Sequence, residues 1–169
     1  MAHSGQGHAM TIQDALIFLH VLLAIYWLGP DWGVYVTSHY IAKAGLPIDE
    51  RRRFLAAMLK IDLIPRSCLI VFPAVGFQLA ANLGMSPIIG AGLIAVWAFC
   101  LVWLVVSWLV YLNRGPMGGA LLRRIDKGVR YVVAPVMIMA GGYSLATDAW
   151  FGGGWLAAKV MVFGVIVAL

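Results

Sequence analysis

The 169-residue sequence is 63% hydrophobic and only 11% charged, whereas about 25% of the residues of an ordinary soluble domain are charged. Too few polar side chains are present to cover a water-soluble core, so the composition excludes a soluble globular domain. The net charge of +5 would suit nucleic acid, but most basic residues fall in two loops, and we expect no nucleic-acid partner. The apolar runs between these loops are of membrane-spanning length, which predicts an all-α, polytopic transmembrane helical bundle.

One transmembrane domain, residues 1–169, is predicted, and it contains five apolar segments. The predicted spans are residues 12–38, 61–83, 88–112, 129–147 and 155–169. A spanning helix needs about 20 residues, and the last segment is shorter than that. We therefore expect this helix either to end within the membrane or to belong to a longer chain that is truncated at Leu169, and we favour truncation. The bundle is predicted to have four or five spans.

The distribution of Lys and Arg predicts the orientation of the bundle. Five of the twelve basic residues lie in or beside the loop after the first span, and five in or beside the loop after the third. These ten residues are Lys43, Arg51, Arg52, Arg53, Lys60, Arg114, Arg123, Arg124, Lys127 and Arg130. The tail before the first span and the short connections on the other side contain none. The positive-inside rule therefore places the N-terminus outside, with the lipid bilayer around the apolar spans.

Two ionisable residues, Asp31 and Arg66, lie in the inner halves of predicted spans, where such groups usually face the interior of the bundle. Asp62 precedes Arg66 by four residues, the favourable order for an ion pair within one helix. Asp31 is expected at a similar depth and competes for the same guanidinium. A structural Asp31–Arg66 pair that links two helices and a proton or ion path both fit this pattern. Pro30, beside Asp31, predicts a kink in the first span.

A polar and aromatic stripe runs along the first span. Trp27 follows His20 by seven residues and Asp31 follows it by eleven, so at about 100° per residue all three share one helix face. Lys159 of the fifth span is expected at a depth similar to that of His20, across the outer half of the bundle. A buried neutral imidazole is a common ligand of haem iron, and a lysine can be a second ligand or pair with a propionate. Alternatively, His20 is a hydrogen-bonded packing residue.

A second set of possible metal ligands lies near the N-terminus and consists of Met1, His3, His8 and Met10. Thioether and imidazole groups suit copper, whereas a flexible polar tail accounts for the same residues without a metal. Cys68 and Cys100 are expected to be small buried side chains within the spans. No catalytic triad, phosphate-binding loop or Cys-x-x-Cys motif occurs, so any enzymatic activity would need a bound cofactor.

Two motifs resemble those of the HemJ/CopD-like small bacterial membrane proteins, which include HemJ-type protoporphyrinogen oxidases and CopD-type copper-resistance proteins. Residues 19–29 resemble the first-helix signature Leu-His-x6-Trp-[Leu/Phe/Ile]-[Gly/Ala], with the histidine at His20 and the tryptophan at Trp27. Residues 155–160, Trp-Leu-Ala-Ala-Lys-Val, resemble the late Trp-Leu-x-x-Lys-Leu motif. The resemblance covers most of the chain and implies a multi-pass protein of the bacterial cytoplasmic (inner) membrane.

The resemblance implies a b-type haem bound by His20, with Trp27 beside it and Lys159 as a ligand or propionate partner. The implied function is electron transfer or a haem-dependent oxidoreduction. The Leu-Pro-Arg segment that follows the tryptophan in HemJ-type proteins is replaced here by Pro30-Asp31-Trp32-Gly33. This segment lacks the arginine, which argues against protoporphyrinogen oxidase activity.

Two alternatives remain open at the level of the sequence. The first is a copper-handling transporter or carrier that uses His3, His8 and Met10 as an outer collecting site. The second is a cofactor-free accessory subunit of a larger membrane complex or a homo-oligomer. In that case the charged residues within the spans only link helices, and Gly141-Gly142 allows close helix contact.

Overall fold

The computed structural model describes residues 10–113 and 119–168. Within these ranges every regular element is a helix, and six are found. They are α1 (Ile12–Ala42), α2 (Ile48–Ile61), α3 (Leu63–Asn82), α4 (Ala91–Leu112), α5 (Ala120–Thr147) and α6 (Gly154–Ala168). Helices α1, α4 and α5 are long and apolar enough to cross a membrane, and α6 is a shorter apolar helix. The all-α prediction is confirmed, with three helices of spanning length in the described part of the chain.

Helix α1 begins at a capping box and continues through its proline. Thr11 accepts a hydrogen bond from the backbone N–H of Asp14, and the Asp14 carboxylate accepts one from the backbone N–H of Thr11. Pro30 lies inside the helix, which the structure describes as one element from Ile12 to Ala42. Because the helix is continuous there, Asp31 stays on the same element as His20.

The basic segment after the first predicted span forms a helix, α2, where the sequence had predicted a loop. Its first turn is acidic and its last turn contains Lys60, so both ends complement the helix dipole. The turn before α2 is held by Arg51, which donates hydrogen bonds to the carbonyls of Lys43 (2.9 Å) and Leu46 (3.1 Å). On the inner face, the Phe54 ring stacks on Tyr40 of α1 at 5.5 Å between centroids. These contacts make α2 a short helix folded back against the end of α1.

Helix α5 begins at Ala120, nine residues before the predicted start of the fourth span at residue 129. Charged residues that had been assigned to a loop therefore lie on the first turns of a helix. Asp126 and Arg130 are four residues apart and form an ion pair along it (Nε–Oδ2 3.5 Å). As a result, a carboxylate enters the interior of the bundle beside α3 and α4.

Helices α5 and α6 are packed backbone to backbone. A Cβ atom added to Gly141 would lie 2.6 Å from the backbone N of Met161 and 2.7 Å from the carbonyl O of Ala157. One added to Gly164 would lie 2.8 Å from both the carbonyl O of Ala134 and the backbone N of Ile138. Glycine at these two positions is therefore required for the contact.

Helices α1 and α3 meet α6 through long side chains. Among the described residues, no Cα atom of α6 lies within 8 Å of a Cα atom of α1 or α3. The space between them is filled by the aromatic core, which we define as Trp27, Phe72 and Phe163. The Trp27 ring lies 5.7 Å from Phe72 and 6.0 Å from Phe163, and the two phenylalanine rings stack at 5.8 Å. Aromatic rings therefore fill the space between α6 and the pair of α1 and α3, whereas α4 packs directly against both α3 and α5.

Candidate functional site

His20 is held against α3 by a ring and a glycine. Its imidazole stacks on Phe72, with centroids 4.0 Å apart and planes inclined by 23°. On the next turn, a Cβ atom added to Gly76 would lie 3.2 Å from Cε1 of His20, so only glycine leaves the ring its present position. Nδ1 is enclosed and has no hydrogen-bond partner among the described residues. Both the ring position and the unpartnered nitrogen make His20 a candidate ligand.

We expect Gly76→Ala to lower the free energy of unfolding by about 1 kcal/mol, because the new methyl group crowds the imidazole in an already packed contact. Gly33→Ala on α1 is the matched control, since a Cβ atom there has nothing within 4 Å. The control should be neutral or slightly stabilising through better helix propensity. Thermal unfolding in detergent measures both. Equal midpoints for the two variants would contradict the described contact between Gly76 and His20.

Lys159 lies on α6, with its Nζ atom 4.5 Å from the centroid of the Trp155 ring. Its side chain is exposed, whereas His20 is half-buried. The Lys159 charge is close enough to interact electrostatically with the His20 imidazole. The two residues lie on helices that have no Cα atoms within 8 Å of each other among the described residues, so any interaction between them runs through their side chains. Trp27, the other residue that the resemblance implicates, is buried in the aromatic core, and its ring contacts Phe72, which also carries the His20 ring.

The described residues form no cluster of metal-ligating side chains of the usual size. They contain no group of three or more His, Cys, Asp or Glu side chains that could hold a bare metal ion. A haem is held differently, because its porphyrin supplies the equatorial ligands and the protein supplies axial ones. His20 fits such a role as a single imidazole beside apolar and aromatic side chains. Lys159 provides the nearby amine.

At the opposite end of the bundle, three partly exposed charged side chains surround the buried carboxylate of Asp126. We call this group the buried polar cluster and define it as Asp62, Arg66, Asp126 and Arg130. Arg66 pairs with Asp62 (Nη2–Oδ2 2.6 Å) and with Asp126 (Nη1–Oδ2 3.6 Å). The indole N–H of Trp103 donates a hydrogen bond to the second oxygen of Asp126 at 3.0 Å. Asp126 is only 6% exposed, so its two ion pairs and the indole bond compensate for a buried charge.

Asp31 is not an ion-pair partner of Arg66 in the described structure, contrary to the pair expected from the sequence. Asp126 takes that place, because α5 starts early enough to carry this carboxylate between α3 and α4. Asp31 remains exposed on α1, close enough to Asp62 for the two carboxylates to interact electrostatically. The predicted Asp62–Arg66 pair within α3 is formed.

The other candidate residues belong neither to the His20–Lys159 pair nor to the buried polar cluster. His39 is exposed near the end of α1, where its Nδ1 atom lies 3.0 Å from the carbonyl O of Tyr35. Cys100 is buried and Cys68 is half-buried, and both are free thiols. Met10 is 76% exposed. The other members of the proposed copper set (Met1, His3 and His8) lie outside the described residues, as does Arg114.

Comparisons of the chain with models of known protein families, with curated proteins and with solved structures find no match. The likeness to HemJ/CopD-like proteins therefore depends on residues 19–29 and 155–160 alone, and membership of that family stays a prediction. The surroundings of His20 and Lys159 are therefore the main indication of function.

Proposed function

We propose that this protein is an integral membrane b-type haem protein that acts in electron transfer or in a haem-dependent oxidoreduction. The observation that carries the proposal is the enclosed Nδ1 atom of His20, which lacks a hydrogen-bond partner among the described residues. Leaving a buried polar group unpaired costs about 1–3 kcal/mol. In native proteins such a group commonly marks the place of a water, an ion or a functional contact. A neutral imidazole in apolar surroundings is a form that ligates iron.

The surroundings of His20 favour a ligand over a packing residue. The stacked Phe72 ring and the bare backbone at Gly76 restrict how the imidazole can turn. Restricting a ligand in this way is what supporting residues do at metal centres. A packing histidine would instead use its ring nitrogens in hydrogen bonds within the bundle, and the described residues provide none for Nδ1.

Lys159 has two possible roles in this proposal, as a second axial ligand or as the partner of a haem propionate. Its present contact with the Trp155 ring is at an exposed site, where a cation–π interaction contributes only about 0.5–1 kcal/mol. The amine can therefore leave this ring for a stronger partner. When bound, the haem would supply the redox chemistry, while His20 and Lys159 hold and orient it.

The same proposal includes four or five spans in a bacterial inner membrane, with the N-terminus outside. Beside the three long apolar helices, we place α3 in the membrane as a fourth span, because it packs against both α1 and α4. Helix α6 is the fifth. The basic helix α2 and the basic first turns of α5 follow the C-terminal ends of α1 and α4 respectively, which supports a common cytoplasmic side for both.

The absorption spectrum of protein purified after haem-replete expression tests the proposal. We expect a Soret band in the wild type and its loss in His20→Ala, because the axial ligand is removed. His39→Ala is the matched control: this histidine is on the same helix, exposed and bonded to its own backbone, and its removal should leave the spectrum unchanged. A wild type without a Soret band, or a band that survives His20→Ala, would overturn the assignment.

Two variants of Lys159, one that keeps its positive charge and one that removes it, distinguish its two possible roles. Lys159→Arg keeps a cation for a propionate but removes the amine ligand, whereas Lys159→Met removes both. If the lysine pairs with a propionate, Lys159→Arg retains the wild-type spectrum and Lys159→Met binds less haem. If it ligates iron, both variants shift the Soret band. Lys60→Met, on the basic helix α2, serves as the control for loss of a positive charge.

The two alternative functions, copper handling and an accessory subunit, are each tested by a separate experiment. Copper handling depends on His3 and His8, so stoichiometric copper that disappears when residues 1–10 are deleted would favour it over haem. An accessory subunit would purify with a larger complex and carry no chromophore.

A further inference from the structure

A cavity of 340 Å³ lies at the basic end of the bundle, where α3, α4 and α5 meet beside the end of α2. This is room for about ten water molecules at the volume each occupies in the liquid. Its lining combines apolar side chains with five polar ones, which are Asp62, Arg66, Ser107, Tyr111 and Arg123. The cavity is at the end of the bundle opposite to His20 and includes none of the residues assigned to haem.

Ser107 is the unusual member of this lining. It is 3% exposed, and its hydroxyl has no hydrogen-bond partner among the described residues. Serines in apolar helices commonly donate to the carbonyl one turn earlier, as Ser67 does here to Leu63 at 2.7 Å. Ser107 does not, so in the described part of the chain its hydroxyl is a buried donor without an acceptor, on a residue that lines the cavity. Such a group indicates that a ligand supplies the acceptor.

The charges of the lining add up to one uncompensated positive charge. Arg66 and Asp62 form a close pair and neutralise each other. Arg123 then adds a cation, and no carboxylate of the described residues forms an ion pair with it. Its guanidinium lies over Gly119, where an added Cβ atom would be 2.5 Å from Nη1. A ligand with a single negative charge would complete the balance.

We propose that this cavity binds a phosphodiester group, with Arg66 and Arg123 facing its charge and Ser107 donating a hydrogen bond to one of its oxygens. A phosphodiester carries one negative charge and presents oxygens that accept from guanidinium and hydroxyl donors. Two sources have this chemistry: the headgroup of a membrane phospholipid and a soluble phosphodiester.

Ligand-dependent thermal unfolding of the full chain in detergent tests the site and separates the sources. The ligands are dioleoylphosphatidylglycerol, dioleoylglycerol with the same chains but no phosphate, and soluble glycerophosphoglycerol. We expect phosphatidylglycerol to raise the unfolding midpoint and dioleoylglycerol not to. A rise with glycerophosphoglycerol as well means that the headgroup suffices, and no rise means that the site takes a lipid. Equal effects of phosphatidylglycerol and dioleoylglycerol, or no effect of any ligand, would overturn the proposal.

Variants of the lining locate the effect. Arg123→Gln should weaken phosphatidylglycerol binding by about tenfold or more, the effect of losing one charge-assisted hydrogen bond. Arg124→Gln is the matched control, because this exposed neighbour does not line the cavity, and its binding should equal that of the wild type. Equal losses in the two variants would mean general surface attraction and would contradict a built site.

Ser107→Ala gives a second, independent readout. Because the hydroxyl lacks a protein partner, its removal should leave the ligand-free unfolding midpoint unchanged or raise it. The same change should weaken phosphatidylglycerol binding several-fold. A serine with a hidden structural role would instead lower the midpoint without ligand, and that result would contradict the assignment of Ser107 to a ligand.

Discussion

Asp126→Ala is expected to lower the free energy of unfolding by about 3–5 kcal/mol, the usual effect of removing one partner from a buried ion pair. The loss is large because Arg130 keeps its charge and loses its one ion pair among the described residues, while Arg66 keeps only its pair with Asp62. The indole N–H of Trp103 loses its acceptor as well. Denaturant or thermal unfolding in detergent, followed by circular dichroism, measures the change.

Two further variants show that charge causes the loss. Asp49→Ala removes an ion pair with Arg52 in which both side chains are more than three-quarters exposed, and it should change stability by less than about 1 kcal/mol. Adding Arg130→Met to Asp126→Ala should recover part of the stability, because Arg130 has no other ion pair among the described residues once Asp126 is removed. If Asp126→Ala is as mild as Asp49→Ala, the buried polar cluster does not stabilise the bundle.

Gly141→Ala is expected to destabilise the protein by about 1–3 kcal/mol or more, because the added methyl group has no free space. The nearest atoms are backbone atoms of α6, at 2.6 and 2.7 Å, and they can move away only if the whole helix shifts. Gly164→Ala on the facing helix should have a similar effect for the same reason. The unfolding midpoint in detergent measures both.

The neighbouring residue provides the control for this prediction. A Cβ atom on Gly142 meets only the Sδ atom of Met161 at 4.0 Å, the flexible end of a side chain. Gly142→Ala should therefore be neutral or stabilising by up to about 1 kcal/mol, through improved helix propensity. The double variant Gly141→Ala with Gly164→Ala should be less than additive, because one displacement of α6 relieves both clashes. Equal effects of Gly141→Ala and Gly142→Ala would contradict the backbone contact.

Hydrophobic patterning predicted the long apolar helices well, because a run of apolar residues has few alternatives to a membrane helix. The ends of α4 and α6 fall within a few residues of prediction. Charged segments were harder, since the charged start of the run 48–61 resembles a solvated loop. The packing of Phe54 on Tyr40 and the hydrogen bonds of Arg51 place α2 against the end of α1.

The sequence predicted some residues of the candidate sites and missed others. A common depth of His20 and Lys159 was predicted by counting residues along two spans and stays a prediction. The role of Asp126 did not, because an aspartate in a basic segment gives no signal of burial until its neighbours are known. Its four-residue spacing to Arg130, the same as from Asp62 to Arg66, was the one clue available. The unpartnered Ser107 hydroxyl had no counterpart in the sequence, since the absence of a partner is a property of the folded chain.

The two kinds of helix contact in this bundle have unequal stiffness. The interlocked backbones at Gly141 and Gly164 permit one register between α5 and α6, whereas in the described part of the chain α1 and α6 meet only through side chains, the rings of Trp27 and Phe163 among them. Side chains can adjust by changing rotamer, which backbones in direct contact cannot do. A ligand that engages both His20 and Lys159 would therefore restrain the distance between α1 and α6, and that distance would report its presence.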